Sequence, residues 1–366
     1  MSILSLPSLP AIPRGTKESK LSTLFPSSSL PTADCPLPTI PSSLFPQHSA
    51  LSTQHFLSQH SKIYIAGHRG MVGSAIVRLL EAKGYTNILV RTREELDLTS
   101  QIDVHRFLTE EKPDYIFLAA AKVGGIHANN TFRADFIYEN LIVETNIIHG
   151  AWLAGVKCLL FLGSSCIYPR DCPQPIREEY LLSGPLEQTN EPYAIAKIAG
   201  LKLCESYNRQ YGTNYVSVMP TNLYGPNDNY CLLGSHVLPA LIRKTHEAKL
   251  RGDKQLTVWG TGTPRREFLY VDDMAEACIF LMENGVHEGL FNVGTGSDVT
   301  IRELAETVMA VVSFNGYLSF DTSHPDGTPR KLLDVSRLKA LGWEAHTGLH
   351  EGITRAYKDF LQNTAD

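Results

Sequence analysis

The chain has no run of eighteen or more uncharged apolar residues, which excludes a transmembrane helix. It has no basic excess either. Its 33 lysines and arginines fall short of its 38 aspartates and glutamates, leaving a net charge of −5 where a nucleic-acid binder would carry surplus positive charge. The seven cysteines contain no CxxC pair and no His/Cys grouping at zinc spacing, so no metal site is expected. An odd number of unclustered thiols points to a reducing compartment, and the expected location is the cytoplasm. No internal repeat is present. What the chain does have is apolar surface for a sizeable core. At 43% hydrophobic and 9% aromatic, its 366 residues suit two domains, or one large domain with an appendage.

Acids are nearly missing from residues 1–60, where Glu18 and Asp34 stand alone against Arg14, Lys17 and Lys20. Nine of the chain's 21 prolines lie in this stretch and would interrupt any helix. With 13 serines and no sustained period of 2 or 3.6, it is expected to be a disordered N-terminal extension whose deletion leaves activity intact. A single arginine and no clear amphipathic helix speak against an organelle transit peptide, and no basic region precedes an apolar one as in a secretory signal.

From Lys62 the texture changes. The apolar runs KIYIAG, NILVRT, DYIFLAAA, CLLFLGSS and YVSVMP alternate with helical patterns over 71–83, 102–110, 135–154 and 193–211. Near-continuous apolar strands alternating with helices predict an α/β fold, a Rossmann doubly wound parallel sheet covered on both faces. Past residue 225 the order is less regular: a helix near 236–249, a strand at LTVWG, a helix near 272–283 and a last helix near 350–362. The expected division is a dinucleotide-binding domain over 61–225, with a returning segment near 255–280, and a smaller α/β substrate lobe over 226–366. That lobe should close over the carboxyl ends of the strands, where such folds bind ligands.

Gly67-His68-Arg69-Gly70-Met71-Val72-Gly73 places three glycines at intervals of three between the first strand and the first helix. The first permits a tight turn, the second lets backbone approach a pyrophosphate, and the third lets the helix pack closely, with phosphate at the helix N-terminus. The end of the second strand selects the cofactor, because NAD sites offer an acid to the ribose and NADP sites offer arginine to its 2′-phosphate. Here the strand ends in Arg91-Thr92-Arg93, with Arg69 nearby, so NADP(H) is expected, with Arg93 weighted above Arg91. Asp97 and Leu98 either flank the adenine, or Asp97 caps the helix beginning near Ser100.

Tyr193 and Lys197 stand at i and i+4 on one helix face. A lysine there lowers the phenol's pKa and holds the cofactor ribose, so that the tyrosine protonates a carbonyl oxygen as hydride reaches carbon. Ser164, at the end of CLLFLGSS, is placed to share that oxygen. Glycine fingerprint, strand-end serine and YxxxK, in this order, resemble the short-chain dehydrogenase/reductase family in its extended, nucleotide-sugar-modifying form.

Longer motifs sharpen the resemblance. They are Gly67 to Ile76, Ala119 to Ile126, GSSCIYP from Gly163, PTNLYGP from Pro220 and PDGTPRK from Pro325. From about Lys62 to the C-terminus the chain is similar to the members that convert GDP-4-keto-6-deoxy-D-mannose to GDP-L-fucose. These epimerise C3 and C5 and then reduce C4 with NADPH. The resemblance implies Ser164, Tyr193 and Lys197 as the reductase set, Cys166 as the base of epimerisation and His236 as its acid. It implies cofactor contacts from Gly67 to Gly73, from Arg93, Asp97, Leu98, Leu162, Gly163, Ser164, Ser165 and Lys197, and from Pro220, Thr221, Asn222, Leu223 and His236. A thiol and an imidazole suit that work, since neighbouring cations bring a thiol toward neutrality and histidine titrates near it unaided.

For a GDP-sugar, a cation at the diphosphate and a surface for the base are needed. The resemblance implies Trp259, Arg266, Asp326 and Lys244, the last where the family often carries arginine with its bidentate geometry. The chain departs from the family at Tyr230-Cys231-Leu232-Leu233-Gly234, a loop that is usually polar and leads into His236. Rival readings are a nucleotide-sugar 4-epimerase or 4,6-dehydratase, and an inactive NADP-sensing regulator. Cys166 and Arg93 argue against the first, and an intact Tyr193 and Lys197 against the second. A homodimer through the helices near 135–154 and 193–211 is also implied, and no nucleic-acid or membrane partner.

Overall fold

The computed structural model describes residues 56–363, apart from residues 233 and 325 and the side chains of 126 and 127. The disorder expected of the N-terminal extension falls, for residues 1–55, outside the described residues. The expected boundary at residue 61 is too late, however. Leu57 is buried in the domain core and its N–H donates to the Met282 carbonyl at 3.3 Å, because an apolar side chain here closes the end of the sheet layer.

The first half runs β1 (Ile63–Ala66), α1 (Met71–Ala82), β2 (Ile88–Leu89), α2 (Gln101–Glu111), β3 (Tyr115–Leu118), α3 (Ile126–Thr131), α4 (Arg133–Leu153), β4 (Cys158–Leu162), α5 (Glu191–Tyr211) and β5 (Tyr215–Pro220). The second half runs β6 (Asn222–Tyr224), α6 (Val237–Arg251), β7 (Gln255–Trp259), β8 (Arg265–Arg266), β9 (Phe268–Tyr270), α7 (Val271–Glu283), β10 (Gly289–Val293), β11 (Val299–Thr300), α8 (Ile301–Val312), β12 (Tyr317–Asp321), β13 (Arg330–Lys331), α9 (Ser336–Ala340) and α10 (Leu349–Asn363).

Six strands form one parallel sheet in the order β10-β5-β4-β3-β1-β2. Alternation along β1 shows why both faces are covered. Ile63 and Ile65 enter the core built with α1 and α7, while Tyr64 and Ala66 enter the core built with α2, α4 and α5. The chain passes from β1 outward to β2 and then back across to β3, so the crevice at the carboxyl ends of β1 and β3 is the switch point where ligands bind in such sheets.

Of the returning segment expected near 255–280, the part from Leu269 onward lies in the first-domain core and the part before it does not. The chain comes back over α7 and β10, which supplies the sheet's edge strand, and Leu338 and Trp343 join the same core. By contrast β7 pairs with β12 in the second lobe. Its burial alternates along Gln255–Trp259, as suits a strand covered on one face only. In that lobe α6, α8 and α10 pack round Leu238, Ile242, Val258, Leu304, Val308, Ile353 and Phe360. Helix α8 had a legible start: Thr300 and Glu303 form a reciprocal capping box, Glu303 N–H donating to Thr300 Oγ1 at 3.1 Å.

Candidate active site

The glycine loop has the geometry its spacing implies. Gly67 is left-handed at φ +88°, and a Cβ there would lie 2.7 Å from Ala120 N, so β1 turns into α1 directly against the loop after β3. At Gly73 a Cβ would overlap the Gly67 carbonyl oxygen, which is why α1 comes this close. No side chain caps α1 at Gly70, and Met71 and Val72 carry its first N–H groups, leaving the helix start to an anion.

Among the strand-end cations, Arg91 is committed to structure. It bonds Glu111 Oε1 at 2.8 Å and lies over the Phe107 ring. Arg69 and Arg93 are exposed and have no ion-pair partner among the described residues. The nearby acid Glu95 is tied into its own turn, accepting from Thr92 N–H at 2.7 Å. His68 is pushed down by burial and then by Arg69. Two exposed cations, beside acids Glu94, Glu95 and Asp97 that are each hydrogen-bonded within their own turns, fit a 2′-phosphate. Asp97 accepts from Thr99 N–H and Oγ1, while the cap of α2 is Ser100, so the capping alternative for Asp97 is excluded. Leu98 packs on the core and its carbonyl accepts from Asn146 Nδ2.

Ser164, two residues past β4, opens a short 3₁₀ turn, Ser165–Ile167, which brings Cys166 back toward it; Cys166 N–H donates to Ser164 Oγ at 3.2 Å. Gly163 lets β4 pass Met219, and buried Ser165 completes the turn. Tyr193 lies in the first turn of α5, and its phenol is pushed up by burial first, then by the charges of Cys166 and Glu144, with the Ser164 hydroxyl pulling the other way. The depression expected from Lys197 is therefore not what the structure shows. The Lys197 ammonium is 3.0 Å from Glu144 Oε1 and donates to the Leu162 carbonyl at 3.0 Å, so most of its charge is balanced by a carboxylate. Its centre stays 5.9 Å from the Tyr193 ring centroid.

Sequence reasoning missed four residues here. Glu144, on α4, is buried against Lys197, and Gly200 makes room for it, since a Cβ there would sit 2.6 Å from Glu144 Oε2. Its carboxyl is pushed up by burial and held down by Lys197. Asn190, just before α5, donates from Nδ2 to Cys166 Sγ at 3.1 Å. Lys331, on β13, places its ammonium 3.8 Å from the same sulfur. Glu267, fully buried, receives the N–H groups of Leu333 and Gly296, and its backbone carbonyl takes Thr221 Oγ1 and Asn222 Nδ2, which fixes the segment Pro220, Thr221, Asn222 and Leu223. An acid on a helix face carries no spacing signal; Lys331 alone stood inside a motif already noted. His236 precedes α6, its imidazole pushed down by the surrounding protein and then by Lys331. Lys331 thus links the thiol and the imidazole.

The second lobe carries the other cations. Trp259 is 57% exposed, with Lys244 Nζ 4.3 Å from its ring centroid and His324 stacked on it at 4.3 Å. Burial pushes both Lys244 and Arg266 down. Asp326 holds the loop, accepting from Thr261 N–H at 2.9 Å and Oγ1 at 2.6 Å, with Arg266 close enough to lower its pKa further. Arg265 turns outward to Asp298.

The chain matches the model of the NAD dependent epimerase/dehydratase family over residues 63–294. It is 58% identical over 308 residues to GDP-L-fucose synthase 1 of Arabidopsis thaliana, covering 84% of this chain and 95% of that one. It is 58% identical over 311 residues to the GDP-L-fucose synthase of Escherichia coli, covering 82% and 97%. Among solved structures, a GDP-L-fucose synthetase from Naegleria fowleri bound to NADP superposes with a TM-score of 0.79 at 29% identity, over 84% of this chain and 95% of that one. A parallel sheet with a glycine-loop switch point, a serine and a half-buried tyrosine gathered at a thiol, and this degree of likeness leave one assignment: the chain belongs to the NAD dependent epimerase/dehydratase family and, within it, to the GDP-L-fucose synthases.

Proposed function

We propose that the protein converts GDP-4-keto-6-deoxy-D-mannose to GDP-L-fucose, epimerising C3 and C5 and then reducing C4. The observation that carries this reading is the gathering of Ser164, Tyr193 and Cys166 round one turn, with Lys331 facing both Cys166 and His236, since a carbonyl-binding pair beside an acid and a base suits both chemistries. The 4-keto group makes the C3 and C5 hydrogens acidic. The Cys166 thiolate takes each proton in turn, the charge passes to the C4 oxygen near Ser164 and Tyr193, and His236 returns a proton to the opposite face. Each inversion leaves a thiol and a neutral imidazole, and a proton returned through water resets both. The α1 N-terminus, Arg69 and Arg93 would hold NADPH, which when bound would supply the hydride to C4. Tyr193, kept protonated by its burial, gives its proton to the oxygen.

Incubation with NADPH and the 4-keto sugar should oxidise the cofactor and yield GDP-L-fucose; folded protein that does neither refutes the reading. Cys166→Ser should block C3/C5 deuterium exchange more than reduction of an already epimerised sugar, and Tyr193→Phe the reverse. The rival readings lose ground because the thiol and the full tyrosine–lysine pair are present. Tyr138, Leu153 and Ile195, exposed on α4 and α5, support the homodimer. Among the described residues no helix is long and apolar enough to cross a membrane. Their six cysteines are free thiols, which supports the expected cytoplasmic location.

A further inference from the structure

Lys331 has no role in the reading above beyond its neighbourhood. Its placement is nevertheless heavily specified. On one side Arg265 N–H donates to the Pro329 carbonyl at 2.8 Å, and β13 pairs in register with β8, Lys331 beside Arg266. On the other, Leu332 N–H donates to Gln174 Oε1 at 2.8 Å and Leu333 N–H to buried Glu267 at 3.0 Å. A strand of two residues is thus fastened from both lobes, and its lysine ends at the Cys166 sulfur. Among the described residues no carboxylate lies within ion-pair distance of Lys331, so none neutralises it, and its field reaches Cys172 and His236 as well as Cys166.

We propose that Lys331 is the positioning residue of the epimerisation base: its ammonium, with the Asn190 amide, holds Cys166 as the thiolate that takes the C3 and C5 protons. The proposal rests on the epimerase-reductase reading only for what the thiolate does. The groups facing the sulfur are the Ser164 hydroxyl from its own turn, Asn190 and Tyr193 from the start of α5, and Lys331 from β13. Of these Lys331 alone is cationic, so negative charge on sulfur depends on it. The same charge reaches His236 and disfavours its imidazolium, which makes that group readier to release a proton to carbon. The proton balance is unchanged by Lys331, which neither gains nor loses one. Because β13 is paired to the strand bearing Arg266, the activating cation is delivered by the lobe that would hold the diphosphate.

The test is the rate of Cys166 alkylation by iodoacetamide in the full chain between pH 6 and 9, read from its peptide by mass spectrometry, with exposed Cys231 as internal reference. An opposite charge at this distance changes the thiolate fraction by about tenfold or more. Lys331→Met should therefore slow Cys166 at pH 7 by about that factor and leave Cys231 unchanged, and Lys331→Arg should restore most of the loss. C3/C5 deuterium exchange should fall in the same proportion, with reduction of the epimerised sugar kept. Folded Lys331→Met that alkylates Cys166 at the wild-type rate, or slows Cys166 and Cys231 alike, overturns the proposal. Lys331→Gln carries the same comparison if the methionine variant does not fold. Alkylation needs no sugar, so wild-type protein that shows the coupling without turnover would remove the activity assigned above and leave the Lys331–Cys166 link standing.

Discussion

Glu144→Gln offers the sharpest test of how the reductase set is held. Glu144 Oε1 and Lys197 Nζ are 3.0 Å apart and both side chains are 2% exposed, so water screens neither. At an effective dielectric of about 20, unit charges at that separation attract by about 5 kcal/mol. Burial opposes this strongly enough to push the Glu144 carboxyl up in spite of its partner, so the pair as a whole contributes little net stability. Removing one partner is another matter. The amide would leave Lys197 with only the Leu162 carbonyl, and an uncompensated buried charge costs about 3–5 kcal/mol. No well-aligned hydrogen bond reaches either Glu144 oxygen, so the amide's retained acceptor recovers little of that. The assay is guanidinium unfolding of Glu144→Gln, Lys197→Met and the double variant. The double variant should be no less stable than the worse single one, giving a coupling of about 3 kcal/mol, although both variants lacking Lys197 should lose reduction. Additive losses in the double variant would refute the pairing.

Other outcomes follow from particular contacts. Gly73→Ala puts a methyl into the Gly67 carbonyl, so α1 must shift at a cost of about 1–3 kcal/mol, and NADPH affinity should fall more than GDP affinity in calorimetric titrations. Arg93→Ala removes one charge-assisted contact worth about 1.5–3 kcal/mol, so the ratio of kcat/KM for NADPH over NADH should drop roughly ten- to a hundredfold, and an unchanged ratio would exclude Arg93 from the 2′-phosphate. Asp228 is raised from its ordinary 3.8 to about 7, by burial first and then by Asp359. Between those values the folded chain binds the extra proton, so stability falls as pH rises through the window, by up to about 4 kcal/mol. Asp228→Asn should flatten the pH dependence of unfolding between pH 4 and 7 and stabilise the protein above it; an unchanged profile would show that this carboxyl does not titrate there.

The alternation of apolar strands and helices was enough to write down the parallel sheet, because strands buried on both faces leave runs such as Ile63–Ala66 and Cys158–Leu162 that no solvent-facing strand would tolerate. The edge strand β10 escaped notice because Gly289 begins it and Asn292 sits inside it. That asparagine is satisfied by Ile176, Glu178 and Tyr168, contacts a linear pattern does not display. The site divides in the same way. Gly67, Ser164, Cys166 and Tyr193 lie in local motifs, each fixed by one turn or one helix face. Glu144 and Glu267 act through contacts made only after distant segments meet, and carboxylates at such places are indistinguishable in sequence from those on a solvated face.

The placement of Lys331 on a late, short strand has a consequence for how the protein is made. Cys166 and Lys331 are 165 residues apart, and a polypeptide leaves the ribosome with its N-terminus first. The glycine loop, Ser164, Tyr193 and Lys197 are synthesised early, β10 closes the sheet later, and the cation for the thiol arrives after that. A chain halted between Val293 and Arg330 would own all six strands of the parallel sheet, without Leu338 and Trp343 of its core, together with Ser164, Tyr193 and Lys197, yet hold the Cys166 thiol without Lys331. The last stretch of translation thus supplies both the final side chains of the sheet's core and the cation set beside the Cys166 thiol.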